Sequence, residues 1–139
     1  MSTMIRPEIS EKRDWYIEKH RFYELKHFCL QYPTWEKRYN AADGLEQNPM
    51  GKMIFAQSNN VSDPTARCAE IKAYYATRID MLVRAAEETD PVIGNYILRG
   101  ILEEKSYDTV RAMYDVPCCK DVYYKLYRKF FWILSRERN

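Results

Sequence analysis

The residues with the most evident chemistry stand in the last stretch of the chain, PCCKDVYYKLYRKFFWILSRERN, from Pro117 to Asn139. Two neighbouring thiols, Cys118 and Cys119, precede Lys120. A thiol at a helix start beside a cation loses its proton readily, which would make Cys119 a nucleophile or redox sensor. The competing role is a helix cap with packing behind it, and it is favoured because adjacent cysteines bridge each other only in strained geometry. His20, Glu24 and His27 recur at i, i+4 and i+7 on one helix face, a spacing that suits metal ligands. No second ligand pair follows elsewhere, so surface or core histidines are the better reading. Asp80, Glu87 and Glu88 read as solvated charges on a helix flank rather than a two-metal nuclease site. The sequence holds no Gly-rich phosphate loop, no GxSxG and no triad-like constellation. No catalysis, metal or cofactor is expected.

Charge points in another direction. The chain of 139 residues carries a formal +2, yet residues 118–139 hold six Lys and Arg against Asp121 and Glu137, a local +4 that leaves −2 for the rest. Clustered cations focus positive potential, so this end suits an anionic partner. Apolar residues make up 46 % and aromatics 14 %, with twelve tyrosines, enough to bury a core. No apolar run reaches the roughly 20 residues of a membrane span, and MSTMIRPEISEKRDW lacks the apolar centre of a signal peptide. A cytoplasmic protein is expected, with Cys29, Cys68, Cys118 and Cys119 as thiols. Without a CxxC pair, structural zinc has little support.

The elements that must position the basic segment are helices. Glycine is scarce, alternating strand patterns are absent, and helical spacing recurs. A first helix is predicted from near Asp14 to Gln31, with Phe22, Leu25, Phe28 and Cys29 as its apolar stripe and Pro33 ending it. Thr34 can cap a short restart carrying Trp35 and Tyr39. Residues 42–61 read as loop, with one helical turn near Met50 to Ala56. Asp63 and Pro64 open a long central helix whose stripe is Cys68, Ile71, Tyr75, Ile79, Leu82 and Ala86. Asp90 and Pro91 repeat that start signal for a helix carrying Ile93, Ile97, Leu98 and Ile101 to about Glu103. Ser106 then opens a short helix with Tyr107, Val110 and Tyr114 on one side. The last helix follows Pro117, with Cys118 as cap, Asp121 reaching back to it, and Val122, Leu126, Phe130, Ile133 and Leu134 facing inward. The chain thus divides into an aromatic N-terminal segment with loop, residues 1–62, and a helical domain, 63–139. The expected class is all-α, with a long central helix.

Residues 106–136 have the shape of a helix-turn-helix, whose second helix enters the major groove of DNA with its N-terminal half. The chemistry needed is donors on the outer face near that helix start and cations for phosphates. Lys120, Tyr124, Lys125 and Arg128 are the expected contacts, Lys129 meets phosphate, and Tyr123 is shared between groove and core. An ordinary αα corner is the structural alternative. Trp15, Tyr16, Phe22, Tyr23 and Trp35 either pack internally or form a contact with a second copy or another protein.

From Lys105 onward the chain resembles region four of bacterial sigma factors: Tyr107, Val110, Ala112, Val116, Cys118, Val122 and Leu126 fall at or within one place of the pattern. The whole layout is similar to the small RinA and ArpU type regulators of Gram-positive phages and prophages, on the Tyr-Pro element QYPTW (Gln31 to Trp35) and the ending DVPCCKDVYYKLYRKFF. That resemblance implies a transcription regulator that binds double-stranded DNA as a monomer or a dimer, with host RNA polymerase or a second copy as the partner the aromatic N-terminal rings could meet. Cys119 and Tyr127 stand where a small polar and a basic residue are expected. Two other readings remain open: a small-terminase-like packaging protein, which predicts a ring oligomer, and a phage-encoded protein-interaction module or inhibitor of a host enzyme.

Overall fold

A computed structural model describes residues 14–42 and 64–139. Those residues form six helices: α1 Lys19–Cys29, α2 Tyr32–Ala42, α3 Pro64–Thr89, α4 Ile93–Leu102, α5 Tyr107–Tyr114 and α6 Lys120–Glu137. No strand occurs among them, and the class is all-α. The loop and helical turn expected over 42–61, the cap at Asp63 and the division at 62/63 lie outside the described residues, save Ala42, which ends α2. Two compact units share the described chain, residues 14–31 with 81–139, and 32–42 with 64–80; α3 runs through both.

In the larger unit, α6 packs on α1, α4 and α5. Phe22, Leu25, Phe28 and Cys29 are buried on α1 as their spacing predicts, and so are Ile93, Ile97, Leu98 and Ile101 on α4. α1 starts later than Asp14. Trp15 has φ 58°, which a right-handed helix excludes, and the Glu18 carboxylate accepts from the His20 and Arg21 N–H groups at 2.9 and 3.1 Å. Those bonds hold the Glu18 carboxyl below its usual range. The far end of α6 is held from α1. Arg21 donates to Ser135 Oγ, Ser135 O and Asn139 Oδ1, each at 3.0 Å.

The α3–α4 corner is built on contact with backbone. Asp90 Oδ1 accepts from Val92 and Ile93 N–H, both at 2.8 Å, and Gly94 lies so near that a Cβ would sit 1.8 Å from the Ala86 carbonyl oxygen. Only glycine fits there. α4 ends in a Schellman turn: Lys105 N–H meets Gly100 O at 2.9 Å, Glu104 N–H meets Ile101 O at 3.1 Å, and Glu104 has φ 55°. Gly100 also admits Tyr123, since a Cβ would stand 2.7 Å from the Tyr123 hydroxyl.

In the smaller unit, α2 resumes at Tyr32, two places before the expected cap Thr34. Pro33 falls in its first turn, where a missing N–H costs nothing. The Cys68 thiol donates to Ala42 O at 2.9 Å, and Arg38 donates to the Tyr75 hydroxyl at 3.0 Å. Ile71, Tyr75 and Ile79 of the expected stripe are only half-buried. All four cysteines are free thiols.

Candidate functional site

Phe130, Ile133 and Leu134 of α6 are buried as their spacing predicts, but the first half of the helix turns a different face inward from the predicted one. Tyr123, Tyr127, Phe130, Phe131, Ile133 and Leu134 are buried, whereas Val122 is 44 % exposed and Leu126 half-buried. Aliphatic residues had marked the expected inner face, but rings carry more apolar area, and the helix turns them inward. Phe22, Tyr127 and Phe131 close around one another, with centroids 5.0 Å apart for Phe22 and Phe131 and 5.1 Å for Tyr127 and Phe131. Tyr123 is therefore a core residue, 1 % exposed, and not a groove contact. Its hydroxyl has no hydrogen-bond partner among the described residues.

The start of α6 also lies one residue later than expected. Cys119, not Cys118, is the cap residue, and its side chain makes no capping bond. Cys118 serves the connection from α5 instead: its N–H reaches Val116 O at 2.9 Å, and its carbonyl accepts from the Tyr107 hydroxyl at 2.5 Å. Tyr107 also accepts from Arg111 at 3.1 Å, so one ring ties α5 to the segment leading into α6. Tyr124 closes the other side, its hydroxyl oxygen accepting from the Tyr107 N–H at 3.0 Å. Burial, then the neighbouring Cys119 and Asp90, push the Cys118 thiol up, which disfavours a thiolate there.

Lys120, Lys125 and Val122 are exposed on the first turns of α6, while Tyr124, Arg128 and Lys129 are half-buried. Lys120 Nζ is 3.7 Å from Asp108 Oδ2, a surface pair of little energy that leaves the cation accessible. Lys125 and Lys129 lie by the Trp15 ring, 5.8 and 5.6 Å from its centroid. Five of the six expected contact residues thus reach the surface in one region, with Arg111 of α5 exposed on the flanking helix. Sequence reasoning missed Arg111 and Val122 in this region, and singled out Trp15 only as a packing or protein-contact ring. Arg111 was legible as a cation one helix ahead of the basic segment; the place of Trp15 beside α6 was not, because the two are far apart in the chain.

The other candidates stay apart. His20, Glu24 and His27 are exposed on α1, and Asp80, Glu87 and Glu88 on α3. Among the described residues no group of three or more His, Cys, Asp or Glu gathers as a metal site requires. None of the described helices is long and apolar enough to cross a membrane. Comparison of the chain with known protein families, with curated proteins and with solved structures finds no match.

Proposed function

We propose that the chain is a sequence-specific DNA-binding regulator of phage or prophage transcription, with α6 as its recognition helix. The observation that carries this reading is the outer surface of the first three turns of α6, where Lys120, Val122 and Lys125 are exposed beside Tyr124, Arg128 and Lys129. Each side chain has a matching chemistry in the major groove. Lysines meet guanine O6 and N7 or phosphates, and a valine packs on a thymine methyl. Tyr124 accepts a backbone N–H, which leaves its own O–H to donate. The uncapped N-terminus of α6 offers backbone N–H groups to a phosphate. The Tyr107 hydroxyl ties α5 to the segment leading into α6, which supports reading α5 as the bracing helix.

The resemblance of this segment to sigma region four, and of the layout to the RinA and ArpU regulators, supports phage genes as targets. Host RNA polymerase or a second copy as partner, and the cytoplasm as location, belong to the same reading. The test is fluorescence anisotropy with duplex DNA over a salt series. Lys120→Ala combined with Lys125→Ala removes two exposed cations without touching the core. Affinity should fall, and the slope of log K against log salt should flatten by about two. An unchanged slope would overturn the reading.

A further inference from the structure

Lys125 and Lys129 stand at i and i+4 on α6, where two like charges repel and weaken a helix. Among the described residues no carboxylate lies within ion-pair distance of either. The Asp90 carboxylate does feel the Lys129 charge, yet its oxygen is engaged by two backbone N–H groups of the α4 start. What meets both ammonium groups is a single ring from far upstream, the indole of Trp15. Trp15 holds this place at φ 58°, in the left-handed region that bulky side chains rarely adopt. Backbone strain of this kind persists only where the surroundings impose it, and it gathers at functional positions.

We infer that Trp15 is a positioning residue for anion contact, its ring gathering Lys125 and Lys129 into a two-cation clamp for a DNA phosphate. The negative face of an indole attracts cations, so the ring offsets the repulsion between the two lysines without neutralising them. Both side chains are then ordered before DNA arrives and lose less freedom on binding. A carboxylate in the same place would hold the lysines equally well but would repel the phosphate. An aromatic ring is the neutral way to order a pair of cations. This role rests on the duplex-binding reading of α6.

The experiment is a set of duplex titrations of the full chain at two salt concentrations, with Trp15→Leu, Trp15→Phe and the Lys125→Ala, Lys129→Ala pair, alone and combined. Leucine keeps apolar bulk and removes the ring, and should weaken binding about fivefold; phenylalanine keeps a weaker ring and should stay within about twofold. In the chain lacking both lysines, Trp15→Leu should cost nothing more. Equal losses with and without the lysines overturn the inference while leaving DNA binding intact, and so does a Leu variant that binds like the wild type. A second readout needs no DNA: the ε-proton resonances of Lys125 and Lys129 should shift when the ring is removed, and unshifted signals overturn the clamp. A wild type that binds no duplex overturns the DNA reading, and the inference with it.

Discussion

Helices α4 and α6 begin in opposite ways within one unit. At α4 the Asp90 carboxylate accepts two N–H groups at 2.8 Å, and Gly94 is pressed against the Ala86 carbonyl, so the start is closed chemically and sterically. At α6 the cap residue Cys119 is exposed and makes no side-chain bond to the helix. The difference teaches where the sequence spends its capping residues. Glu18 and Asp90 serve starts that support the core, whereas Ser106 of α5 and Cys119 of α6 make no side-chain capping bond, and the α6 start stands among Lys120, Asp121, Tyr124 and Lys125. Stability and recognition pull a helix N-terminus toward different residues, since a capping carboxylate occupies the N–H groups that an anion would use.

Four substitutions would break or sharpen that contrast. Gly94→Ala forces a methyl group onto backbone that has no rotamer to change, and should cost about 3 kcal/mol in urea denaturation. A loss below about 1 kcal/mol would mean that the corner is looser than its contacts indicate. Asp90→Ala should cost about 1 kcal/mol, the ordinary worth of an N-cap. The bonds from Ile93 and Val92 hold the Asp90 carboxyl below its usual range. Its contribution is therefore complete above the unfolded value of about 3.9 and disappears as pH falls through the lower folded value. Thermal melts between pH 6 and pH 2 should show a shallower acid loss in Asp90→Asn than in the wild type. Cys119→Asp installs at α6 the cap that α4 already has, and should raise stability by about 0.5 kcal/mol. The same change should weaken duplex binding, because the new carboxylate faces phosphate; a variant that binds DNA more tightly would deny the open start any role.

Periodicity revealed α1, α3, α4 and α5 to within a few residues, because each carries apolar residues at helical spacing between polar ones. Phe22, Leu25, Ile97 and Val110 are where their spacing puts them. In α6, Phe130, Ile133 and Leu134 are buried as their spacing predicts, but the first half of the helix turns Tyr123 and Tyr127 inward in place of Val122 and Leu126. With a ring or a cation at nearly every position, the pattern has two competing inner faces, and only the neighbours Phe22 and Gly100 decide between them. Once Tyr123 and Tyr127 are inside, Val122 must come out. The basic character of the candidate site was plain in the local charge, and Lys120, Lys125 and Lys129 needed no tertiary information to be singled out. The part played by Trp15 was illegible, since it depends on a left-handed backbone before α1 and on a contact across the chain. The tie through Tyr107 was hidden for a similar reason: it uses the carbonyl of Cys118, and a backbone acceptor leaves no trace in composition.

Building the core of α6 from phenols has a consequence on the alkaline side. Burial, with Tyr124 and Cys118 adding to it, pushes the Tyr123 hydroxyl well above its ordinary range; burial and the nearby Tyr123 and Cys29 do the same to Tyr127. Both groups prefer the proton in the folded state, so their contribution is whole below the unfolded value of about 10 and drains away as pH rises toward the folded values. A phenylalanine core of the same shape would be indifferent to hydroxide. This one carries a built-in upper pH limit, set by two rings whose oxygens the interior must keep neutral.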